Sequence, residues 1–190
     1  DATMLAWYSS FSPLELRVEA DGYRTLAKRA RSEGLEATAL LVTQDVDVPV
    51  VAVAVHREGG DWPRFAVGSD AALDPEVAAT DALAEALQNW MELRSIGRSA
   101  ASAEDGAIGA FADFPRAAGA LLDGDGPVPA ASVGPDAVPT GTERVDALVD
   151  AVTDADLTPY AARVTTRDVD ALGFEAVRVL VPAAQPLFTD

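Results

Sequence analysis

Residues 68–98, GSDAALDPEVAATDALAEALQNWMELRSIGR, decide how this chain folds. Asp74 is a natural N-cap, Pro75 suits the first helical position, and Glu76 favours the first turn. The pattern predicts a helix from there to about Ile96, stopped by Gly97. Ala79, Leu83, Ala86, Leu87, Trp90 and Arg94 share one flank. Asp81, Glu85, Gln88 and Glu92 recur at helical spacing and line the opposite face.

Strand patterns lie upstream of this helix. Leu14, Leu16 and Val18 alternate with charged residues, as in a half-buried strand. Residues 23–33 form a basic amphipathic helical pattern ended by Gly34. Its Arg24, Lys28, Arg29 and Arg31 make the chain's one local positive patch, most simply a solvated face. Residues 35–46 and 50–55 read as strands on either side of a turn at Asp47, Val48 and Pro49. In the second strand Val51, Val53 and Val55 alternate with Ala52 and Ala54, so both of its faces leave water, one of them lined by small residues. Residues 57–61 make a hairpin-like turn and 62–68 a short strand.

Residues 97–142 form a long loop-rich segment without sustained periodicity, apart from one helical candidate at 115–122. Residues 143–154 then read as a helix with Val145, Leu148, Val149 and Val152 on its apolar side. Strands at 160–165 and 176–181 follow, separated by a turn around 168–173. A weak repeat relates residues 35–55 to 157–181. Val42-Thr43 matches Val164-Thr165, and Asp45-Val46-Asp47 matches Asp168-Val169-Asp170. The fold class is α/β (α+β), within a single domain over 1–190. A mixed sheet is flanked by helices, and two helix–strand–strand units frame a central long helix.

Composition narrows the function. The 190 residues carry 31 acidic and 14 basic side chains, a formal charge of −17. Nucleic acid and anionic membranes are poor partners for such a surface. Nor does any stretch reach the roughly 20 apolar residues of a membrane span. No basic segment leads into an apolar one, so no signal peptide is read and a cytoplasmic location is expected. Asp is preferred to Glu, and Lys28 is the only lysine beside 13 arginines. This balance resembles salt-adapted proteins of extreme halophiles, and an archaeal source is the expectation. The absence of cysteine excludes disulfides, thiolate metal sites and a Cys nucleophile within this segment. A single histidine, His56, reads as a solvated strand end. The Asp-Gly-Asp-Gly run at 123–126 reads as a solvated acidic turn, because the other ligands of a calcium loop are missing.

No phosphate-binding Gly-rich loop, GxSxG elbow or HExxH helix is present. The Asp81, Glu85, Gln88, Glu92 face is the remaining candidate. It is either a solvated polar face or a place where magnesium offsets the repulsion between carboxylates, with Gln88 orienting a phosphate or a water.

Residues 68–98 also resemble a signature of the YcaO family: a small-residue lead, an Asp-Pro-Glu helix start, an Ala-Leu-x-Glu-Ala-x-Gln core and an Ile-Gly-Arg exit. Ala82, Leu83, Glu85, Ala86 and Gln88 carry the core. Residues 43–55 (TQDVDVPVVAVAV) resemble the family's acidic turn and strand, and 173–188 (GFEAVRVLVPAAQPLF) its closing strand. The resemblance implies the C-terminal portion of a longer chain. It also implies ATP- and magnesium-dependent activation of a peptide-backbone amide, giving an azoline or a thioamide. Glu85 would then be the magnesium or phosphate-side carboxylate and Gln88 a nucleotide or phosphate contact. Only part of the site would lie here, since the family's earlier Ser- and Glu-rich motifs would fall upstream of Asp1. A non-catalytic docking scaffold of the SagD type is the alternative that the resemblance carries. Its partners would be a precursor peptide or a partner modification enzyme, and a homodimer is compatible with either.

Overall fold

The computed structural model describes residues 13–101, 112–113 and 126–184. Strand β1 (Leu14–Arg17) leads into helix α1 (Asp21–Ser32), and β2 (Glu36–Leu41), β3 (Val50–His56) and β4 (Phe65–Ala71) follow. The central helix α2 (Pro75–Ile96) comes next, then a single turn, α3 (Arg98–Ala101), and β5 (Val128–Pro129). A five-stranded sheet has the order β4-β3-β2-β1-β5, antiparallel except where β5 joins β1. Sequence patterning missed β5, which is two residues long and ends in proline. Its Val128 pairs with Leu16.

The sheet is buried for the reason that the Val/Ala alternation gives. Val51, Val53 and Val55 are fully buried in the main core with Leu35, Ala39 and the inner stripe of α2. Ala52 faces the other way and packs with Leu40 and Val42. That stripe of α2 consists of Ala78, Ala79, Ala82, Leu83, Ala86, Trp90 and Leu93. Four alanines let the helix come close to the sheet, and Gly68 in β4 completes the approach. A Cβ on Gly68 would collide with the Ala82 carbonyl oxygen and the Ala86 nitrogen, and would lie 2.8 Å from the Glu85 Cβ.

Both ends of α2 are those expected from the sequence. The Asp74 side chain accepts from the Glu76 N–H at 2.9 Å, and Gly97 closes the helix at φ 79°. Glu76 also reaches across to the start of α1. Its carboxylate accepts from the Glu19 N–H at 3.0 and 3.1 Å and from the Ala20 N–H at 2.6 Å. Ala20, the N-cap of α1, has no side chain that could cap its helix. A carboxylate from a neighbouring helix therefore supplies what the Glu of a capping box supplies within one helix. Strand β4 sits three residues later than the predicted 62–68. Trp62 and Pro63 instead belong to the connection from β3, where the Pro63 carbonyl accepts from Trp90 Nε1 at 2.9 Å.

Helix α4 (Gly141–Asp154), β6 (Tyr160–Arg163), a short helix α5 (Arg167–Ala171) and β7 (Val177–Leu180) make the second helix–strand–strand unit. The repeat extends to its hydrogen bonds. The Val42 N–H donates to Val50 O at 2.9 Å and Thr43 Oγ1 accepts from the Val50 N–H at 2.9 Å. In the second copy the Val164 N–H donates to Ala176 O at 2.9 Å and Thr165 Oγ1 accepts from the Ala176 N–H at 3.0 Å. The expected turn at 168–173 is largely α5: Asp168 and Asp170 occupy its first turn, where carboxylates favour a helix. The copies differ in burial. Val145 and Val149, read as the apolar side of α4, are exposed, and no described residue from 141 to 184 is buried. The helical candidate at 115–122 lies outside the described residues.

Gly68→Ala should cost about 3 kcal/mol or more in urea unfolding, because the new methyl meets helix backbone that cannot rotate away. Glu76→Ala should cost about 2 kcal/mol, since it leaves backbone N–H groups at the α1 start without their acceptor.

Candidate functional site

Strand β4 is an outer strand of the sheet, so one of its edges has no strand partner among the described residues. Helix α2 covers that edge with two side chains one turn apart. Glu85 Oε2 accepts from the Ser69 N–H at 2.7 Å, and Asn89 Nδ2 donates to the Val67 carbonyl at 2.9 Å. The exposed edge is thereby closed to another strand. Glu85 is exposed and uses one carboxylate oxygen for this bond, and the other has no hydrogen-bond partner among the described residues.

Two further carboxylates share this edge. Asp70 follows Ser69 on β4, and Asp81 lies one turn before Glu85 on α2. Burial pushes the Asp70 carboxyl above its ordinary value, and the nearby charges of Asp81 and Glu85 push it the same way. The Ala71 backbone N–H acts in the opposite direction. The edge therefore holds negative charge, and none of the three carboxylates has an ion pair among the described residues. Hard carboxylate oxygens suit a magnesium ion. Among the described residues, however, no three His, Cys, Asp or Glu side chains converge closely enough to hold a metal by themselves. A magnesium ion held by Glu85 would need its other oxygens from phosphate, water or further residues.

Asp81, Glu85, Gln88 and Glu92 are all exposed on one side of α2, as their spacing predicts. Glu85 and Gln88 turn to different neighbours. Glu85 leans on β4, whereas Gln88 lines a groove of about 570 Å³ between α1 and α2. Sequence reasoning missed Asp70, Ser69 and Asn89. Of these only Asn89 carried a signal, being four residues after Glu85 on the same helix; Asp70 joins the group only through tertiary contact. His56 ends β3 as expected, but it is half-buried rather than solvated. Its Nε2 lies 2.9 Å from Thr38 Oγ1, and burial lowers its pKa. Most of the Asp-Gly-Asp-Gly run lies outside the described residues.

An alternating mixed sheet under a close-packed helix, with further helices flanking it, defines the class as an α/β protein. The family model of the YcaO cyclodehydratases, described as ATP- and Mg2+-binding, matches residues 1–185, and the chain belongs to that family. No curated protein matches the sequence. Among solved structures the fold resembles a heterocyclase in complex with substrate and cofactor, with TM-score 0.76, 21% identity, and 97% of this chain and 25% of the other covered. It also resembles YcaO from Methanopyrus kandleri bound with AMPPCP and Mg2+, with TM-score 0.70, 22% identity, and 95% and 47% covered. A third likeness is to the E. coli microcin synthetase McbBCD complex with pro-MccB17 bound, with TM-score 0.56, 13% identity, and 95% and 48% covered. The chain thus spans from a quarter to about half the length of the structures it matches.

Asp70→Asn tests the electrostatics of this edge. A carboxyl whose folded-state pKa is raised favours folding when protonated, and that contribution is lost as pH rises through the folded value. In thermal melts Asn should raise the midpoint slightly near pH 7, on the order of 1 °C because solvent still screens the half-buried group, and the gain should vanish near about pH 3.

Proposed function

We propose that this chain forms part of an ATP- and magnesium-dependent enzyme that activates backbone amides in a peptide. In that chemistry a Cys, Ser or Thr side chain of the peptide adds to the preceding amide carbon, or external sulfide does so on the way to a thioamide. The amide oxygen takes the γ-phosphoryl group of ATP and leaves as phosphate. In azoline formation the nucleophile and the amide nitrogen each lose a proton to solvent, and the nitrogen forms a C=N double bond to the former carbonyl carbon as the phosphate leaves. Such a reaction needs positioning and neutralisation of charge more than a protein nucleophile, which suits a segment without cysteine. The chain's own contribution is Glu85, held by the Ser69 N–H, as a magnesium or phosphate-side carboxylate; Gln88, which faces the α1/α2 groove rather than β4, would be a separate nucleotide or phosphate contact.

The observation that carries this assignment is the cation-poor edge of Asp70, Asp81 and Glu85 on the helix that bears the family signature. The alternative, a non-catalytic scaffold that docks a precursor peptide or partner enzyme, is favoured by a different observation. Leu172, Phe174 and Val179 of the second unit are 74%, 66% and 64% exposed. Apolar faces of this kind mark contact with another surface, whether a partner, a second copy or further chain. A cytoplasmic setting and a halophilic source belong to the same proposal, the latter supported by the acidic, lysine-poor composition.

Calorimetric titration with Mg2+ and AMPPCP separates the two. Glu85→Gln keeps an oxygen for the Ser69 N–H and removes only the charge. Under the enzyme assignment it should weaken magnesium-dependent binding by about tenfold, or about 1.4 kcal/mol, with the melting temperature kept. Equal binding by Glu85→Gln returns Glu85 to a purely structural role. A folded longer protein containing this segment that binds no nucleotide is a scaffold, whereas binding lost only in the 190-residue chain places the remaining ligands outside it.

A further inference from the structure

The groove between α1 and α2 has a composition of its own. Ala84, Leu87 and Met91 follow helical spacing along α2, and Leu26 and Arg29 do so along α1. Two helices laid side by side in this way present ridges into which a third helix can pack. Met91 is 64% exposed. The Trp90 ring lies in the floor, with the Arg94 guanidinium 5.2 Å from its centroid, a contact that steadies a cation at the rim. Arg94 also pairs with Glu33 at 3.0 Å, whereas Arg29 has no ion pair among the described residues.

Charge distinguishes this groove from the rest of the molecule. The whole chain carries −17, yet the charged side chains that line the groove are Arg29 and Arg94 against the single acid Glu33, and Arg24, Lys28 and Arg31 lie on the same helix as Arg29. An acidic partner is repelled by most of this protein and attracted here. A basic partner meets the opposite arrangement. Complementarity of this kind selects among partners and sets their register.

We propose that the α1/α2 groove docks an acidic amphipathic helix of a partner protein. The partner's apolar stripe lies on Leu26, Leu87 and Met91. Its carboxylates meet Arg29 and compete with Glu33 for Arg94. This is recognition of a helix in a groove, with one rim charged. Gln88 lines the same groove, so a nucleotide held there would compete with the docked helix, whereas Arg29 and Met91 have no part in the nucleotide assignment.

The test uses two synthetic helical peptides of about 14 residues with the same leucine stripe, one carrying Glu and the other Lys at the remaining positions. Binding to the 190-residue chain is read by fluorescence anisotropy at near-physiological salt. The Glu peptide should bind about tenfold more tightly than the Lys peptide. Arg29→Glu should reverse that preference, and Met91→Glu should weaken the Glu peptide by about tenfold or more. Both positions are exposed, and circular dichroism checks that each variant is folded. Equal binding of the two peptides, or binding that neither substitution changes, overturns the proposal. So does displacement of the peptide by Mg2+ and AMPPCP, which would put a nucleotide in the groove instead.

Discussion

The approach of α2 to β4 is the constraint on which the rest of the structure depends. Gly68 has no Cβ, and the helix places Ala82 and Ala86 directly over it. Close packing of small residues fixes the helix's distance from the sheet more tightly than larger, more adaptable side chains would. At that distance Glu85 and Asn89 reach backbone groups of β4 with bonds of 2.7 and 2.9 Å. A helix held further out would leave the strand edge open and Glu85 in bulk water. The same contact therefore closes the sheet edge and orients the carboxylate to which the family resemblance assigns a role.

Charge is distributed with a similar economy. The carboxylates of the β4 edge repel one another, and the Asp70 carboxyl registers that repulsion together with its burial. Elsewhere carboxylates are used as acceptors. Glu76 satisfies backbone N–H groups at the start of α1, and Asp74 caps its own helix. An acidic sequence thus contains carboxylates that stabilise through hydrogen bonds and others that repel one another. Overall composition does not separate them, because the difference lies in what each group faces.

The two helix–strand–strand units show how one local pattern can lead to different surroundings. Thr43 and Thr165 close their hairpins through equivalent bonds, so the local chemistry repeats faithfully. In the first unit the strands lie under α2 and are buried. The strands of the second carry Tyr160, Val177 and Val179 outward. Hairpin closure is a matter of neighbouring residues, whereas burial depends on what the rest of the molecule lays on top.

The sequence by itself determined the features that local spacing controls. The ends of α2 follow from Asp74, Pro75 and Gly97, the two-faced burial of β3 from its Val/Ala alternation, and the exposed polar face of α2 from helical periodicity. The repeated Val-Thr hairpins were also legible, as was the family, from an ordered set of short segments. Only the tertiary structure decided where β4 begins, that residues as few as Val128 and Pro129 form a strand, and that α5 replaces a turn. It alone brought Asp70 beside Asp81 and Glu85, set Ser69 on Glu85, and turned Gln88 toward α1 instead. Each of these depends on contacts between residues distant along the chain, which periodicity along one element does not encode.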